Sequence, residues 1–224
     1  MIGLIFDVDG VVADTESVNA AASVEVFREL CGIEVRPEDF RPFIGTGAER
    51  YVLGVAERYG VELDVAAATR LRQEKFLRVL DRDGLKPYPG VLELIAAARE
   101  APDVRLAIAT SGNPSKQFPV LAAVGIDRTQ FEVVVTGDDV TKKKPDPQIY
   151  LLTAERLCLL PSACVVIEDA PSGVAAAGAA GMYCIAVSNT VGADDLAGAD
   201  RIVSSLADIA LDDLRAAAAG RHAE

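Results

Sequence analysis

The chain has 224 residues, half of them hydrophobic, which is enough for one sizeable core or for a core with a small satellite domain. Its formal net charge is −12, whereas proteins that bind nucleic acid usually carry a basic surface. No apolar stretch reaches the roughly 18 residues that a membrane span needs, and the first residues resemble a strand rather than a signal peptide. We therefore expect a cytoplasmic protein that binds a small molecule, with no nucleic-acid or membrane partner.

The cysteines and the histidine do not suggest a zinc site. Four cysteines are spread along the chain without a C-x-x-C pair, and the single histidine, His222, lies in the C-terminal tail. Isolated cysteines in apolar runs are mostly buried small hydrophobic residues, as in proteins of a reducing compartment. We expect this of all four, namely Cys31, Cys158, Cys164 and Cys184.

Short apolar runs alternate with helical patterns along most of the chain. The runs predict buried parallel strands at 2–6, 104–109, 132–135, 163–167 and 183–187, and 201–203 fits an edge strand. Between them, helices are predicted from about 91, from about 147 after the Asp146-Pro147 start signal, and over 172–180 before Gly181. This alternation predicts an α/β fold with a doubly wound parallel sheet and a Rossmann-like core.

Residues 14–86 interrupt the alternation with helical patterns alone. Asp14 or Thr15 is a suitable cap for the first helix, an apolar face ending at Gly60 marks a second, and a third covers about 64–82. We therefore predict an inserted all-helical cap domain at 14–86, with an α/β catalytic core formed by 1–13 and 87–224.

Four polar segments follow predicted strands. Asp7 and Asp9 follow the first strand, and in a strand residues two apart point to one face, so we expect paired carboxylates with a cation or shared proton between them. The second strand is followed by Thr110, Ser111, Gly112 and Asn113, whose hydroxyls and turn amides suit an anionic oxygen. The remaining segments contain Lys144, stiffened by the prolines that follow, and the acidic pair Glu168 and Asp169.

These segments come together because the carboxyl ends of parallel strands meet at one edge of a sheet. Oxygen ligands suit a hard cation such as Mg²⁺. A carboxylate nucleophile, a second acid and a cationic group suit phosphoryl transfer through an aspartyl-phosphate. The residues alone do not decide whether Asp7 or Asp9 is the nucleophile.

In this order the motifs FDVDGVVADTE, LAIATSG, KKKPDPQIY and VVIEDAPSGVAAAGAAGM resemble those of the haloacid dehalogenase superfamily, in its helical-cap branch of phosphoglycolate phosphatase and β-phosphoglucomutase. The resemblance implies that Asp7 is the nucleophile and Asp9 the general acid/base. It implies that Thr110 and Lys144 hold the phosphoryl oxygens. Mg²⁺ would bind Asp7, the backbone carbonyl of Asp9 and Asp169, with Glu168 close by.

The resemblance also separates possible reactions. Asp9 favours phosphate esters over haloacids, and Lys75 of the insertion is expected on a solvated face rather than as a Schiff-base lysine. Asn19 and Ala48 occupy positions where the mutase has a histidine and an arginine, which favours hydrolysis over mutase activity. We therefore predict a magnesium-dependent phosphatase of a small phosphorylated metabolite, expected to be a sugar phosphate. The alternatives are a sugar phosphomutase and a catalytically silent binding module.

Further predictions concern substrate contacts and assembly. We expect substrate binding by Ser111, Gly112 and Asn113, and by Gly45, Thr46 and Arg50 of the insertion. No heptad repeat or similar pattern calls for assembly, so we expect a monomer, with a dimer as the alternative.

Overall fold

A computed structural model of the protein describes residues 1–44 and 47–221. By internal contacts the chain divides into two units, one formed by Met1–Ala13 with Lys86–Glu224 and the other by Asp14–Leu85. Among the described residues, no helix is both long enough and apolar enough to cross a membrane.

The first unit is built on a parallel six-stranded sheet in the order β3-β2-β1-β4-β5-β6. The central strands β1 and β4 are buried along their whole length, which explains why their sequences are continuously apolar rather than alternating. The strands are β1 (Ile2–Phe6), β2 (Val104–Ala109), β3 (Val133–Val135), β4 (Cys164–Glu168), β5 (Tyr183–Val187) and β6 (Arg201–Val203). The predicted doubly wound α/β fold is therefore confirmed.

The three helices of the insertion and those that begin near residues 91, 148 and 171 follow the predictions, whereas the helix at Pro114–Ala123 was not predicted. The insertion contains α1 (Thr15–Cys31), α2 (Ala48–Tyr59) and α3 (Val65–Asp83), and the first unit contains α4 (Val91–Glu100), α5 (Pro114–Ala123), α6 (Gln148–Arg156), α7 (Pro171–Ala179) and α8 (Leu211–Arg221). Asp14 caps α1 by accepting from the amide of Ser17, and Gly60 ends α2 in a left-handed conformation, as predicted.

The insertion has a hydrophobic core of its own. Phe40 stacks on Tyr51 with ring centroids 5.1 Å apart and meets Phe27 edge-on at 5.8 Å. Around these rings lie buried valines of α1 and α2. An aromatic cluster of this size explains how about 70 residues that contain helices alone can form a separate compact unit.

Two expectations about buried side chains were wrong. Cys164 and Cys184 are buried, but Cys31 is only partly covered and Cys158 is exposed, because it lies in the turn that follows α6. Lys75 is buried rather than solvated, since α1 packs along α3 and covers its stem, while its ammonium group pairs with Glu29 at 2.7 Å.

Candidate active site

The candidate site lies at the carboxyl edge of the sheet, where β1 has β2 on one side and β4 on the other. Phe6, the last residue of β1, is in register with Ile108 of β2 and Ile167 of β4. Asp7 therefore emerges between the ends of two neighbouring strands, and its amide donates to the carbonyl of Ile167 at 3.0 Å. In a sheet whose strand order changes direction at β1, this is the usual place for a ligand.

Four of the predicted residues form one buried group, which we call the acid–lysine cluster: Asp7, Lys144, Glu168 and Asp169. The Nζ of Lys144 lies 2.5 Å from Oδ1 of Asp7 and 2.6 Å from Oε1 of Glu168. It also donates to the carbonyl of Ala109 at 3.3 Å. The ammonium group is thus fixed between two carboxylates by three acceptors, which accounts for its burial.

Burial dominates the electrostatics of the cluster. It raises the pKa of Asp7 to about 7, against the opposing effect of Lys144 and with smaller contributions from the charges of Glu168 and Asp9. It raises the pKa of Asp169 well above its ordinary value, and Glu168 and Asp7 add to this. Although burial alone would lower the pKa of Lys144, the neighbouring Asp7 and Glu168 carboxylates raise it above its usual range. The cluster therefore has more negative charge than its one lysine can balance.

This excess of negative charge fits a divalent cation. Asp7, Glu168 and Asp169 each offer a carboxylate oxygen, and these atoms lie within 4.8 Å of one another. The donor set contains oxygen alone, which suits Mg²⁺ better than zinc or copper. A cation at this position would also favour the ionised forms of Asp7 and Asp169, whose pKa values burial raises.

Glu168 is held by four donors. Its Oε1 accepts from Lys144 and from the hydroxyl of Tyr150 at 2.5 Å, and its Oε2 accepts from the amides of Asp169 and Ala170 at 3.0 and 3.3 Å. A Cβ at Gly173 would lie 1.8 Å from Oε1 of this carboxylate, so α7 can pass at this distance only with a glycine there. Glu168 therefore fixes the position of Lys144 as much as it balances its charge.

Asp169 is oriented by the loop that follows β5. The hydroxyl of Thr190 donates to Oδ2 of Asp169, and the side-chain amide of Asn189 donates to the carbonyl of Gly10 at 2.9 Å. Gly10 has a φ of +76°, and a Cβ there would lie 1.8 Å from the same carboxylate oxygen. The turn after Asp9 thus requires glycine for two reasons, backbone conformation and space.

Asp9 lies in a different environment from Asp7. Its Oδ1 accepts from Nζ of Lys116 at 2.9 Å and its Oδ2 from Nε2 of Gln117 at 2.6 Å. A cation or a shared proton between the two aspartates stays a prediction, but in the structure their carboxylates pair with different lysines, Asp7 with Lys144 and Asp9 with Lys116. The reason is that β1 ends at Phe6, so the two-residue alternation of a strand does not extend as far as Asp9.

The segment after β2 contributes Thr110 and the start of α5. Thr110 is buried, and its hydroxyl accepts from the amide of Gly112 at 3.2 Å. Ser111 is exposed, and the Oδ1 of Asn113 caps α5 by accepting from the amide of Lys116 at 3.0 Å. The structure therefore places Thr110 at the site edge and uses the side chain of Asn113 to begin a helix.

The predicted residues of the insertion are partly described. Arg50 pairs with Glu57 of the same helix at 2.7 Å and lies over the ring of Phe43. Gly45 and Thr46 lie outside the described residues. A substrate contact by any of the three stays a prediction.

Sequence reasoning missed Tyr150, Thr190, Lys116 and Gln117, which hold the predicted residues in place. Tyr150 resembles an ordinary apolar-face residue of α6, and Thr190 lies in a loop without a motif. A signal was available for Lys116 and Gln117, because they lie in the first turns of a helix that begins beside Thr110.

Residues 4–187 match the model of the haloacid dehalogenase-like hydrolase family. The chain belongs to this family. The fold, the four motifs and this match agree, so the predicted superfamily and the predicted hydrolase class are confirmed.

Three similar proteins illustrate the range of this likeness. The chain is 37% identical over 94% of its length to SUPPRESSOR OF QUENCHING 1, a chloroplastic protein of Arabidopsis thaliana, but it spans only 20% of that protein. It is 35% identical to a phosphorylated carbohydrates phosphatase of Thermotoga maritima, covering 81% of this chain and 82% of that one. The third is a crystal structure of CbbY from Rhodobacter sphaeroides, an aspartate-to-asparagine variant in complex with xylulose 1,5-bisphosphate. Its sequence is 31% identical to this chain, its TM-score is 0.82, and the match covers 96% of this chain and 99% of that one.

Proposed function

We propose that this protein is a magnesium-dependent phosphatase that hydrolyses a small sugar phosphate through an aspartyl-phosphate. The observation that carries the proposal is the acid–lysine cluster, in which a buried carboxylate, a fixed lysine and an oxygen-only ligand set occur together. The phosphatase name of one relative and the sugar bisphosphate in the crystal structure of another support the substrate class.

In the proposed reaction Asp7 is the nucleophile. One oxygen of its carboxylate forms a bond to phosphorus while the bond from phosphorus to the sugar oxygen breaks, and protonated Asp9 gives its proton to the departing oxygen. Asp9, now ionised, takes a proton from water, and the water oxygen displaces the Asp7 carboxylate from phosphorus. Inorganic phosphate leaves, and both aspartates return to their starting states.

The other residues of the site serve electrostatics and positioning in this proposal. Lys144 and the hydroxyl of Thr110 hold the phosphoryl oxygens and stabilise the negative charge on them during the transfer. Asp7, Glu168 and Asp169 would hold Mg²⁺, with the backbone carbonyl of Asp9. When bound, the ion would balance the charge of the phosphoryl group and of the three carboxylates.

Hydrolysis is favoured over phosphomutase activity by the insertion. The position of the mutase histidine is Asn19, whose side-chain amide donates to Glu16 at 3.2 Å and carries no titratable proton. The position of the mutase arginine is Ala48, and the nearby Arg50 is paired within its own helix. Neither group that the mutase would need for a second phosphate is therefore present in the same form.

A screen for phosphate release from phosphorylated metabolites, with and without Mg²⁺, tests the proposal. We expect release from sugar phosphates that stops when the ion is chelated. Asp7→Asn should lower kcat by on the order of 10⁶-fold, the scale of loss when an enzyme nucleophile is removed. The matched control is Asp146→Asn, which changes an aspartate of the loop before α6 and should keep wild-type turnover. Release that depends on a bisphosphate activator would indicate the mutase, and no release from any substrate would indicate a silent binding module.

A further inference from the structure

We propose that Lys116 and Gln117 are positioning residues that hold the carboxyl group of Asp9 where it exchanges a proton with the leaving group and with water. This inference rests on the proposed function, since it concerns the acid/base of that reaction. It assigns a task to two residues at the start of α5 that none of the four sequence motifs contains.

The geometry fixes the carboxyl group in two directions. Lys116 donates to one oxygen of Asp9 at 2.9 Å and Gln117 donates to the other at 2.6 Å. A single donor would leave the group free to rotate about its last torsion angle, whereas donors on both oxygens determine its plane as well as its position. Reacting groups must be held to within a fraction of an ångström for efficient proton transfer.

The two donors are themselves held firmly. Gln117 is 1% exposed and Lys116 is largely covered, so neither side chain can move freely in solvent. Both belong to the first turns of α5, whose start is capped by Asn113. The helix cap at Asn113 therefore helps to fix the positions of Lys116 and Gln117, and through them the position of the Asp9 carboxyl group.

Gly112 leaves the space that this arrangement needs. A Cβ at this position would lie 2.0 Å from Nε2 of Gln117, the atom that donates to Asp9. Any other residue would displace that side chain or the loop. A substrate contact by Gly112 stays a prediction, whereas its lack of a side chain makes room for Gln117.

The amide of Gln117 is suited to a group that gains and loses a proton in each turnover. Its Oε1 is buried and has no hydrogen-bond partner, while its Nε2 donates to Asp9. Rotation of the amide by half a turn would exchange the two atoms, and Oε1 could then accept from the hydroxyl of a protonated carboxyl group. Lysine can only donate, so the amide adds an ability that a second lysine would lack.

The test compares two substrates that differ in their need for an acid. A sugar phosphate releases an alkoxide and requires a proton, whereas p-nitrophenyl phosphate releases a stable phenolate and does not. We expect Gln117→Leu and Lys116→Met to lower kcat/KM for the sugar phosphate by about 10-fold or more, a part of the 10²–10⁴-fold that general acid catalysis contributes. For p-nitrophenyl phosphate we expect kcat/KM to stay near the wild-type value. The ratio kcat/KM is the right measure because it reports the first step, before the shared hydrolysis of the aspartyl-phosphate.

Three comparisons make the result decisive. Lys116→Arg keeps a donor and should restore most of the sugar-phosphate activity, and Lys142→Met, at an exposed lysine, should change neither substrate. In an Asp9→Asn background, Gln117→Leu should cause no further loss, since the group that it positions no longer exchanges protons. Should Gln117→Leu fail to fold, as judged by circular dichroism, Lys116→Met carries the same test from a less buried position.

Equal losses for the two substrates, or an additional loss in the Asp9→Asn background, would overturn the positioning role and leave the proposed phosphatase intact. If the wild-type protein releases no phosphate, or if the Asp7→Asn variant keeps wild-type turnover, the proposed function is overturned and this inference with it.

Discussion

Two buried lysines in this protein each lie between two carboxylates, yet their surroundings differ. The side chain of Lys144 is 7% exposed, and its partners Asp7 and Glu168 are 9% and 2% exposed. The side chain of Lys75 in the insertion is 9% exposed, but its partners Glu25 and Glu29 are 27% and 55% exposed. The lysines are alike in burial, and the difference lies in whether water reaches the acids.

Access of water decides what such a triad can do. An acid that water solvates keeps its charge at little cost, and its ion pair contributes little to stability. An acid shielded from water holds its partner in one geometry and interacts strongly with an incoming charge. A buried lysine is therefore a poor indicator of a site by itself, and the exposure of its partners is a better one.

Among the changes that probe this comparison of the two lysines, the largest expected effect comes from removing the ammonium group of the acid–lysine cluster. Lys144→Met should lower kcat by about 10²–10³-fold, the usual loss when one charge-stabilising group is deleted from an active site. It leaves Asp7, Glu168 and Asp169 without their lysine, so an incoming phosphate would meet uncompensated negative charge. Steady-state phosphate release with a sugar phosphate measures this, and wild-type kcat in the variant would contradict a catalytic role for Lys144.

The next effect is a pH dependence of stability that belongs to Asp7. Its pKa is raised from 3.8 to about 7 in the folded protein, so within this window the folded state keeps a proton that the unfolded state has lost. Because the unfolded state binds fewer protons, the free energy of unfolding falls as pH rises through the window. The slope is at most about 1.4 kcal/mol per pH unit and halves as the pH reaches the folded pKa, so the loss between pH 5.5 and 7 is between about 1 and 2 kcal/mol.

The measurement compares wild-type protein with Asp7→Asn, which cannot titrate at this position, by urea unfolding at several pH values without divalent ions. The stability of the wild type should fall relative to that of the variant as pH rises. Added Mg²⁺ should oppose the fall, since a cation stabilises the ionised carboxylate. Parallel curves for the two proteins would show that Asp7 ionises at its ordinary pKa.

A smaller effect is expected from Tyr150, whose hydroxyl donates to the buried Glu168 at 2.5 Å. Tyr150→Phe should lower the free energy of unfolding by about 1.5 kcal/mol, the low end for a hydrogen bond to a charged group, because Lys144 and two amides still hold Glu168. The ring, which lies 4.9 Å from Nζ of Lys144, is retained.

Tyr59→Phe is the matched control for Tyr150→Phe in the insertion. The hydroxyl of Tyr59 also donates to a carboxylate at 2.5 Å, that of Asp39, but Tyr59 is exposed and Asp39 has Arg36 and Arg58 as further partners. We expect a smaller loss in urea unfolding. Both carboxylates are buried, so equal losses for the two variants would mean that exposure of the tyrosine does not weaken such a hydrogen bond.

The sequence was sufficient for the sheet and for the acids at its edge. Continuous apolar runs identify buried parallel strands, and the topology of such strands brings Asp7, Lys144 and Asp169 to one edge without any knowledge of distances. The residues that hold them were not predictable in this way. The contact of Tyr150 with Glu168 depends on how α6 packs over β2 and β3, and that of Gln117 with Asp9 depends on the space above Gly112.

The burial of Lys75 is a second feature that the sequence did not predict. It lies among Arg70, Arg72, Glu74 and Arg78, and such a run predicts a solvated helix face. The packing of α1 against α3 determines its burial, and local charge patterns carry no information about which helix packs against which. Periodicity identifies elements, whereas burial of a charged side chain depends on their partners.

The smallest expected effect is therefore that of Lys75→Met, the same substitution as at Lys144. Methionine keeps most of the buried stem, and the abandoned acids Glu25 and Glu29 remain in contact with water, so no buried charge is left unpaired. We expect the free energy of unfolding to change by less than about 1 kcal/mol, as for an ion pair whose acids are solvated, with kcat unchanged. Urea unfolding and phosphate release measure the two quantities on one preparation. A loss of kcat comparable to that of Lys144→Met would show that exposure of the acids does not separate a structural lysine from a catalytic one.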